Sequence, residues 1–281
     1  MKKLVWFVLI LAFVGFTVLV IFDIKERGLA PKNPDAESSP TAKQEILKVG
    51  FVADSENDNV NLQKALDQLK AQNVNFVVFL GDLTRLGQTA DLVKVKQILD
   101  ASGMKYYVTA GDHDLWASRN AGEDALFNFN NVFGRSSQVI NSNNVVFTII
   151  DNSDIYRGIS ESDWLMLGES LSKRGPVTPK LVFVLSHMTP YHPQSSHIMG
   201  SETASVAVQA KRYMALLDAN NVDGLITGDL HFFAQYNSPA NVVKITTIGA
   251  IDSERNFLGP RFAVLKVYSD YSWEVVDEEI K

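Results

Sequence analysis

The chain has 281 residues, of which 46% are hydrophobic and 21% are charged, and its formal net charge is −6. This composition is typical of a globular protein with one large domain or two small ones. The absence of cysteine excludes disulfide bonds, thiolate metal sites and cysteine nucleophiles. The negative charge and the lack of a basic stripe disfavour binding to a phosphate backbone, so we expect no specific nucleic-acid partner.

The first segment of the chain is apolar. Lys2 and Lys3 precede nineteen almost wholly apolar residues, 4–22. At about 1.5 Å per residue, a helix of this length spans the hydrocarbon core of a bilayer. A cleaved signal peptide is the alternative, but the residues that end the run are large and no A-x-A pattern follows them. We therefore predict an uncleaved signal anchor, a transmembrane segment over residues 1–27.

Basic residues flank this segment on both sides, so the positive-inside rule is nearly balanced. A short basic N-terminus ahead of one span usually stays inside, which predicts a membrane-anchored protein with its domain outside the cytoplasm. Residues 28–44 contain three prolines and no apolar period, which indicates a flexible linker. The folded domain is then expected over residues 45–281.

Short apolar runs alternate with helical periodicity from residue 45 onward. Strands are predicted over 47–53, 76–80 and 106–110, and apolar positions recur at helical spacing within 62–69 and 92–99. Crossover helices of this length join parallel strands, so we expect these three strands to pair in parallel.

The second half of the chain changes from α/β to β-rich. Helices are predicted over 123–133, 160–171 and 206–219, and strands over 145–150, 181–186, 222–227, 242–248, 262–268 and 271–276. Ser269-Asp270 reads as the turn of a closing hairpin. The loop over 187–201 is long for a compact domain, which indicates a functional role.

Five blocks that contain aspartate or histidine follow predicted strands. Polar side chains at the carboxyl ends of parallel strands converge at one edge of a sheet. Carboxylates and imidazoles without cysteine suit hard or borderline divalent metals. The five blocks are Asp54-Ser55-Glu56, Gly81-Asp82, Gly111-Asp112-His113-Asp114, His187 and Gly228-Asp229-Leu230-His231.

In this order the five blocks resemble the calcineurin-like metallophosphoesterases, whose pattern is D-x-H, G-D, G-N-H-[DE], a lone His after a strand, and G-H-x-H. The resemblance covers most of residues 45–235. It implies an α/β fold of two packed mixed β-sheets flanked by helices, a four-layer sandwich. It also implies two divalent metal ions, bridged by one carboxylate and by a solvent hydroxide that attacks phosphorus.

Matched to the family's pattern, seven residues would ligate the two metals, with one carboxylate as the bridge. The bridge would be Asp82, one metal would take Asp54, Glu56 and His231, and the other would take Asp112, His187 and Asp229. The resemblance further implies that His113 protonates the leaving-group oxygen and that Asp114 orients the His113 imidazole. Arg85 follows Asp82 by three residues and is a candidate for substrate binding through a phosphate oxygen, or else a surface arginine.

The chain departs from the family's pattern at three ligand positions. Glu56 stands where His is expected, Asp112 where Asn is, and Asp229 where His is. The carboxylates in the ligand set would thus rise from two to five, and such a set favours Mn, Fe or Mg over Zn. In the absence of metal, we expect the crowded carboxylates to repel one another and take up protons.

The resemblance implies a metal-dependent phosphoesterase that hydrolyses a phosphate mono- or diester of a small molecule or a lipid. The alternative is a catalytically impaired binding module on the cell surface, which the three departures favour. Retention of His113-Asp114 weighs against it, because a pure binding site has no need of an acid. The sequence identifies neither the substrate nor a protein partner.

Overall fold

The computed structural model describes residues 43–172 and 179–281. The predicted signal anchor and the predicted linker up to residue 42 lie outside these residues. Within the described part of the chain, no helix combines the length and the apolar character that a membrane span requires.

Eleven strands and six α-helices occur in the described residues. The helices are α1 (Asn59–Ala71), α2 (Thr89–Ser102), α3 (Trp116–Asn120), α4 (Phe127–Phe133), α5 (Glu161–Ser172) and α6 (Ala204–Ala219), and a 3₁₀ turn covers His113–Leu115. The strands are β1 (Glu45–Val52), β2 (Phe76–Leu80), β3 (Tyr106–Thr109), β4 (Gln138–Ser142), β5 (Val145–Ile149), β6 (Leu181–Ser186), β7 (Gly224–Thr227), β8 (Ala234–Asn237), β9 (Lys244–Thr247), β10 (Arg261–Tyr268) and β11 (Trp273–Glu279).

The strands form two mixed sheets. The first has the order β11-β10-β1-β2-β3, in which β1, β2 and β3 are parallel and β10 and β11 are antiparallel. The second has the order β4-β5-β6-β7-β9-β8, with parallel central strands and an antiparallel strand at each edge. Both the predicted parallel pairing of the first three strands and the two mixed sheets are confirmed.

Apolar side chains from the two sheets pack against each other in the middle of the domain. Phe76 on β2 lies edge-on to Phe147 on β5, with ring centroids 5.5 Å apart. Phe147 stacks on Phe183, whose ring in turn meets Trp273 of β11 at 5.0 Å. These buried and partly buried rings fill the space between the two sheets and hold the sheets in a fixed orientation.

Helices cover the outer face of each sheet. Leu62, Leu66 and Leu69 of α1 and the matching positions of α2 pack on the first sheet, as their helical spacing predicts. The apolar stripes of α5 and α6, including Trp164 and Tyr213, pack on the second sheet. The arrangement is therefore helix, sheet, sheet, helix.

The predicted helix over 123–133 is shorter in the structure. It begins at Phe127, because Gly122 has a left-handed φ of 76° and the Asp124 carboxylate accepts the main-chain N–H of Leu126 at 3.0 Å. Edge strands β4 and β8 were not predicted. Each is a short strand with mostly polar or partly exposed residues, which gives too few buried positions for a recognisable pattern.

Ser160 and Asp163 cap the start of α5. Ser160 Oγ accepts the main-chain N–H of Asp163 at 3.2 Å and donates to the Asp163 carboxylate at 2.6 Å. These contacts satisfy donors that a helix N-terminus otherwise leaves unpaired.

Asp151, directly after β5, is a buried residue whose two carboxylate oxygens have different hydrogen-bond partners. Oδ1 accepts the Ser153 N–H at 3.0 Å and the Ser153 hydroxyl at 2.6 Å. Oδ2 is buried without a hydrogen-bond partner, and burial raises the pKa of this carboxyl above its ordinary value. The charged form of Asp151 is therefore disfavoured in the folded chain.

Replacing Asp151 with Asn should change how stability depends on pH. Since the folded pKa is raised, the stability that Asp151 contributes is present below its unfolded pKa, near 4, and is lost as pH rises through the folded value. Asn cannot ionise, so Asp151→Asn should gain stability relative to the parent chain as pH rises from about 4 to about 7. Urea unfolding across that range measures this difference. The exposed Asp67→Asn is the control. If the difference in free energy of unfolding between variant and parent changes with pH no more for Asp151→Asn than for Asp67→Asn, Asp151 does not have a raised pKa.

Candidate metal centre

The five sequence blocks lie at the carboxyl ends of β1, β2 and β3 in the first sheet and of β6 and β7 in the second. Main-chain contacts hold these ends together. Glu56 N–H donates to the Asp82 carbonyl at 2.9 Å within the first sheet's edge. Between the sheets, His187 Nδ1 contacts the Leu80 carbonyl at 2.7 Å. The two sheets thus meet at a single cluster of polar side chains.

The main chain is left-handed at most of the predicted ligands. Five non-glycine residues of the cluster have positive φ: Asp54 (53°), Glu56 (38°), Asp82 (49°), Asp229 (67°) and His231 (62°). Such conformations are costly for residues with a side chain and collect at functional sites. They turn the chain sharply after each strand, so that the side chains point to a common centre.

Two glycines make the close approach possible. A Cβ at Gly111 would overlap the main chain and carboxylate of Asp82. A Cβ at Gly81, where φ is 90°, would lie 2.5 Å from His187 Nδ1. Only glycine therefore fits where β2 and β3 end beside the second sheet.

The structure brings all seven predicted ligands together. Among residues 43–172 and 179–281, three groups of acidic and histidine side chains offer ligand atoms within 4.8 Å of one another. Asp82 and His187 each belong to two of these groups, which makes one continuous cluster. The groups are Asp54, Asp82 and His187; Glu56, Asp82 and His231; and Asp112, His187 and Asp229.

His187 is the fully buried imidazole at the centre of the cluster. Its Nε2 lies 3.4 Å from Asp112, 3.5 Å from Asp82 and 3.8 Å from Asp229. Burial alone lowers the pKa of His187, but the surrounding carboxylates, Asp82 foremost, outweigh it and raise that pKa well above its ordinary value. In the metal-free chain a proton on His187 therefore balances part of the negative charge.

The carboxylates respond to the same crowding. Burial raises the pKa of Asp54 to about 8, with the charges of Asp229 and Glu56 adding to the rise and His187 opposing it. The pKa of Asp82 is raised well above its ordinary value, again chiefly by burial. Burial lowers the pKa of His231 to about 4, which keeps that imidazole neutral and able to donate a lone pair. The raised pKa values of Asp54 and Asp82 agree with the expected proton uptake in the absence of metal. Asp112 and His231 differ: burial opposes ionisation of Asp112, but its contact with His187 lowers the pKa of that carboxyl below its ordinary value.

The donor set fits divalent metal ions. Glu56 Oε1 is buried without a hydrogen-bond partner and lies 3.9 Å from His231 Nε2. A buried carboxylate oxygen without a partner is costly unless a cation occupies the space that it faces. His187, with Nδ1 turned to a carbonyl, likewise presents Nε2 to the centre, as metal-ligating histidines do.

His113 lies at the open side of the cluster. Its main-chain N–H donates to Asp82 Oδ1 at 3.0 Å, and its Nδ1 contacts the Arg85 carbonyl at 2.9 Å. The imidazole stacks on the Trp116 indole, with centroids 4.7 Å apart and planes 13° from parallel. These contacts fix the ring and leave Nε2 without a hydrogen bond within the described part of the chain.

The role predicted for Asp114 is corrected. The buried Asp114 carboxylate accepts main-chain N–H groups of Leu83, Thr84 and Gly111 at 2.9–3.1 Å, together with the Thr84 hydroxyl at 2.9 Å. It therefore holds the loops that carry Asp82 and Asp112, and the Arg85 carbonyl contacts the His113 ring instead. The 3₁₀ turn directs the Asp114 side chain away from its neighbour's imidazole and into these loops.

Arg85 lies at the margin of the cluster with its guanidinium already engaged. It pairs with Asp252 at 3.0 Å and Glu254 at 2.8 Å, and its Nε donates to the Glu56 carbonyl at 3.1 Å. Both carboxylates contact the same terminal nitrogen, Nη2, which leaves Nη1 of this half-exposed side chain for a phosphate contact. Substrate binding by Arg85 stays a prediction, and the observed contacts assign it to joining the loops.

Two residues that contact predicted ligands were not singled out from the sequence. His197 Nε2 lies 3.1 Å from Asp229 Oδ1, and the guanidinium of Arg255 binds the Glu56 carboxylate at 2.9 and 3.1 Å. The length of the loop over 187–201 was a signal for His197. No motif or periodicity marks Arg255, which lies 199 positions from Glu56.

The chain also matches a known protein family. The family described as calcineurin-like phosphoesterase matches residues 47–233, which is more than half of the chain. The chain therefore belongs to the calcineurin-like phosphoesterase family, whose members use a dinuclear metal centre. No curated protein sequence matches the chain.

Solved structures share the fold at low sequence identity. A dimetal phosphatase from Danio rerio is 14% identical with a TM-score of 0.60, over 85% of this chain and 100% of that one. A purple acid phosphatase from yellow lupin, Lupinus luteus, is 12% identical with a TM-score of 0.63, over 83% of this chain and 51% of that one. At these identities the likeness shows the fold alone.

Replacing Asp114 with Asn should destabilise the domain. The amide would turn an N–H₂ group toward main-chain N–H donors that now share a buried carboxylate. The expected loss in free energy of unfolding is about 2–3 kcal/mol, typical for buried hydrogen bonds to a charged group. Denaturant unfolding measures it, with the exposed Asp67→Asn as the control. Equal stability of the two variants would show that Asp114 does not hold these loops.

Proposed function

We propose that the chain is a metal-dependent phosphoric ester hydrolase that acts on a phosphate mono- or diester. The observation that carries the proposal is the cluster of seven ligand side chains, with Asp82 shared between groups, at the junction of the two sheets. Membership of the phosphoesterase family supports the same class of reaction.

The protein's own groups set the geometry of the reaction. Two divalent ions, when bound, would supply an activated water and would neutralise charge on the phosphoryl oxygens. Asp82, common to two ligand groups, is the residue that would hold both ions at a short separation. His187 is kept in orientation by its contact with the Leu80 carbonyl, so its Nε2 faces the centre.

His113 is proposed to protonate the leaving-group oxygen. The Arg85 carbonyl takes the Nδ1 side of the ring, and Trp116 covers one face of it. The other nitrogen, Nε2, makes no hydrogen bond among the described residues. His113 directly follows the predicted ligand Asp112 in the sequence. Because the Nδ1–H is turned to the Arg85 carbonyl, the imidazolium form of the ring carries its second proton on Nε2 and can donate that proton as the ester bond breaks.

The metal preference belongs to the same proposal. Five of the seven ligand residues are carboxylates, and hard oxygen donors favour Mn, Fe or Mg over Zn. The extra negative charge is also expected to make the activated water less acidic than in a site with more neutral ligands.

Exposed aromatic rings near the site support a substrate with an organic or lipid portion. Phe257, 81% exposed, lies in the loop that follows Arg255, and its ring approaches Phe232, the neighbour of His231. Trp116 is also exposed beside His113. We retain the membrane-anchored, extracytoplasmic location as part of the proposal on the strength of the apolar N-terminal sequence.

Replacing Asp82 with Asn should abolish hydrolysis. Asn keeps the shape but loses the charge needed to hold two cations, so turnover of aryl phosphate mono- and diesters should fall at least about a thousandfold. The assay uses the metal-stripped chain reloaded separately with Mn, Fe, Mg and Zn, and Asp67→Asn is the control. Activity ranked with Zn first would contradict the proposed metal preference.

Near-normal activity of Asp82→Asn would contradict the proposal that Asp82 holds both metal ions. Absence of turnover with every metal in a folded parent chain would instead favour the catalytically impaired binding module. The same experiment therefore separates the two candidate functions.

Replacing His113 with Ala should slow esters with poor leaving groups far more than activated ones. An alkoxide leaving group needs a proton, whereas a nitrophenolate departs without one. The expected loss is therefore about 10²–10⁴-fold for alkyl esters and less than about tenfold for nitrophenyl esters. Comparing kcat for alkyl and nitrophenyl phosphates measures the difference. His192→Ala, whose imidazole accepts main-chain N–H groups of its own loop, is the control. Equal losses for both kinds of ester would exclude His113 as the acid.

A further inference from the structure

The two oxygens of the Glu56 carboxylate have different surroundings. Oε2 accepts hydrogen bonds from Arg255 Nε at 3.1 Å and from a terminal nitrogen of the same guanidinium at 2.9 Å. Oε1 is buried, has no hydrogen-bond partner and lies 3.9 Å from His231 Nε2. One oxygen is therefore held by an arginine, while the other faces the cluster of candidate ligands.

The loop that carries Arg255 is fixed to the segment that carries Glu56. Asp252 N–H donates to the Asp54 carbonyl at 3.0 Å, and the buried Asp252 carboxylate pairs with Arg85 at 3.0 Å. Arg85 in turn donates to the Glu56 carbonyl at 3.1 Å. Arg255 thus reaches Glu56 from a backbone that is already tied to the end of β1.

The charge of Arg255 matches the departure from the family's pattern. Glu56 stands where the pattern has a neutral histidine, so this position adds one negative charge. Arg255 remains charged at every relevant pH and adds one positive charge beside it. Its planar group can bind one carboxylate oxygen through two nitrogens, which fixes the direction of the carboxylate as well as its charge.

We propose that Arg255 is a positioning residue of the metal centre, which neutralises Glu56 and directs only Oε1 to the metal. This inference rests on the metal binding that the proposed function requires. In this role Arg255 would contact Glu56 and would act on the metal only through that carboxylate. It makes a glutamate act as a single-oxygen ligand in the place of an imidazole nitrogen.

The test is a double-mutant cycle read by metal affinity. The full 281-residue chain, Arg255→Gln, Glu56→His and the double variant are stripped of metal and titrated with Mn²⁺ by calorimetry. Loss of a group that orients a metal ligand typically lowers affinity about 10–100-fold, and we expect this for Arg255→Gln. In the Glu56→His background the same change should leave the affinity unchanged or raise it, because only repulsion between Arg255 and the cation remains.

Arg212→Gln is the matched control. Arg212 lies on α6 with its guanidinium over the Trp164 ring at 4.3 Å and has no contact with the ligand cluster. Its replacement should leave Mn²⁺ affinity within about twofold of the parent. Unfolding curves for every variant check that the fold is retained.

The outcomes separate this inference from the proposed function. Arg255→Gln that keeps or raises the parent affinity, or that loses affinity equally in both backgrounds, would overturn the role of Arg255. A parent chain that binds no Mn²⁺ would overturn both this inference and the metal centre. A parent chain that binds Mn²⁺ with the expected cycle but hydrolyses no ester would overturn the proposed function alone.

Discussion

Repulsion among buried carboxylates is the constraint on which the site depends. Five predicted acidic ligands meet two imidazoles within a few ångströms at the junction of two sheets. Burial and mutual charge raise the pKa values of Asp54 and Asp82, so the metal-free site retains protons. Two divalent cations would offset four of these negative charges while the carboxylates stay ionised. The acidic cluster and the orphaned oxygen of Glu56 are therefore best explained as one metal centre.

The surrounding fold holds these charges in place against their repulsion. Main-chain hydrogen bonds join the strand ends, and Asp114 collects four donors from the two loops that carry Asp82 and Asp112. Left-handed turns at the ligands store strain that a rigid double-sheet core can bear. Arg255 adds a fixed positive charge at the one position where a glutamate replaces a histidine. The hydrogen bonds and the packed core around the site thus offset the charge repulsion and backbone strain within it.

Much of this arrangement could be predicted from the sequence, because each ligand adjoins an apolar strand and parallel strand ends converge. Asp82 after 76–80 is the clearest case. Contacts between distant loops could not be predicted, since no periodicity connects Arg255 to Glu56 across 199 positions. The direction of Asp114 was predicted wrongly because adjacency in sequence to His113 does not determine which way a side chain turns in a 3₁₀ turn. Edge strands β4 and β8 lacked the buried residues that reveal central strands.

Anomalous X-ray diffraction from crystals of the Mn²⁺-loaded chain tests the central claim most directly. We expect two manganese peaks about 3.5–4 Å apart, as in other two-metal sites, with Asp82 between them. We further expect that Glu56 reaches one peak through Oε1 while Arg255 holds Oε2. A crystal of the folded chain with no peak in the cluster, or with one peak that Asp82 does not contact, would contradict the claim.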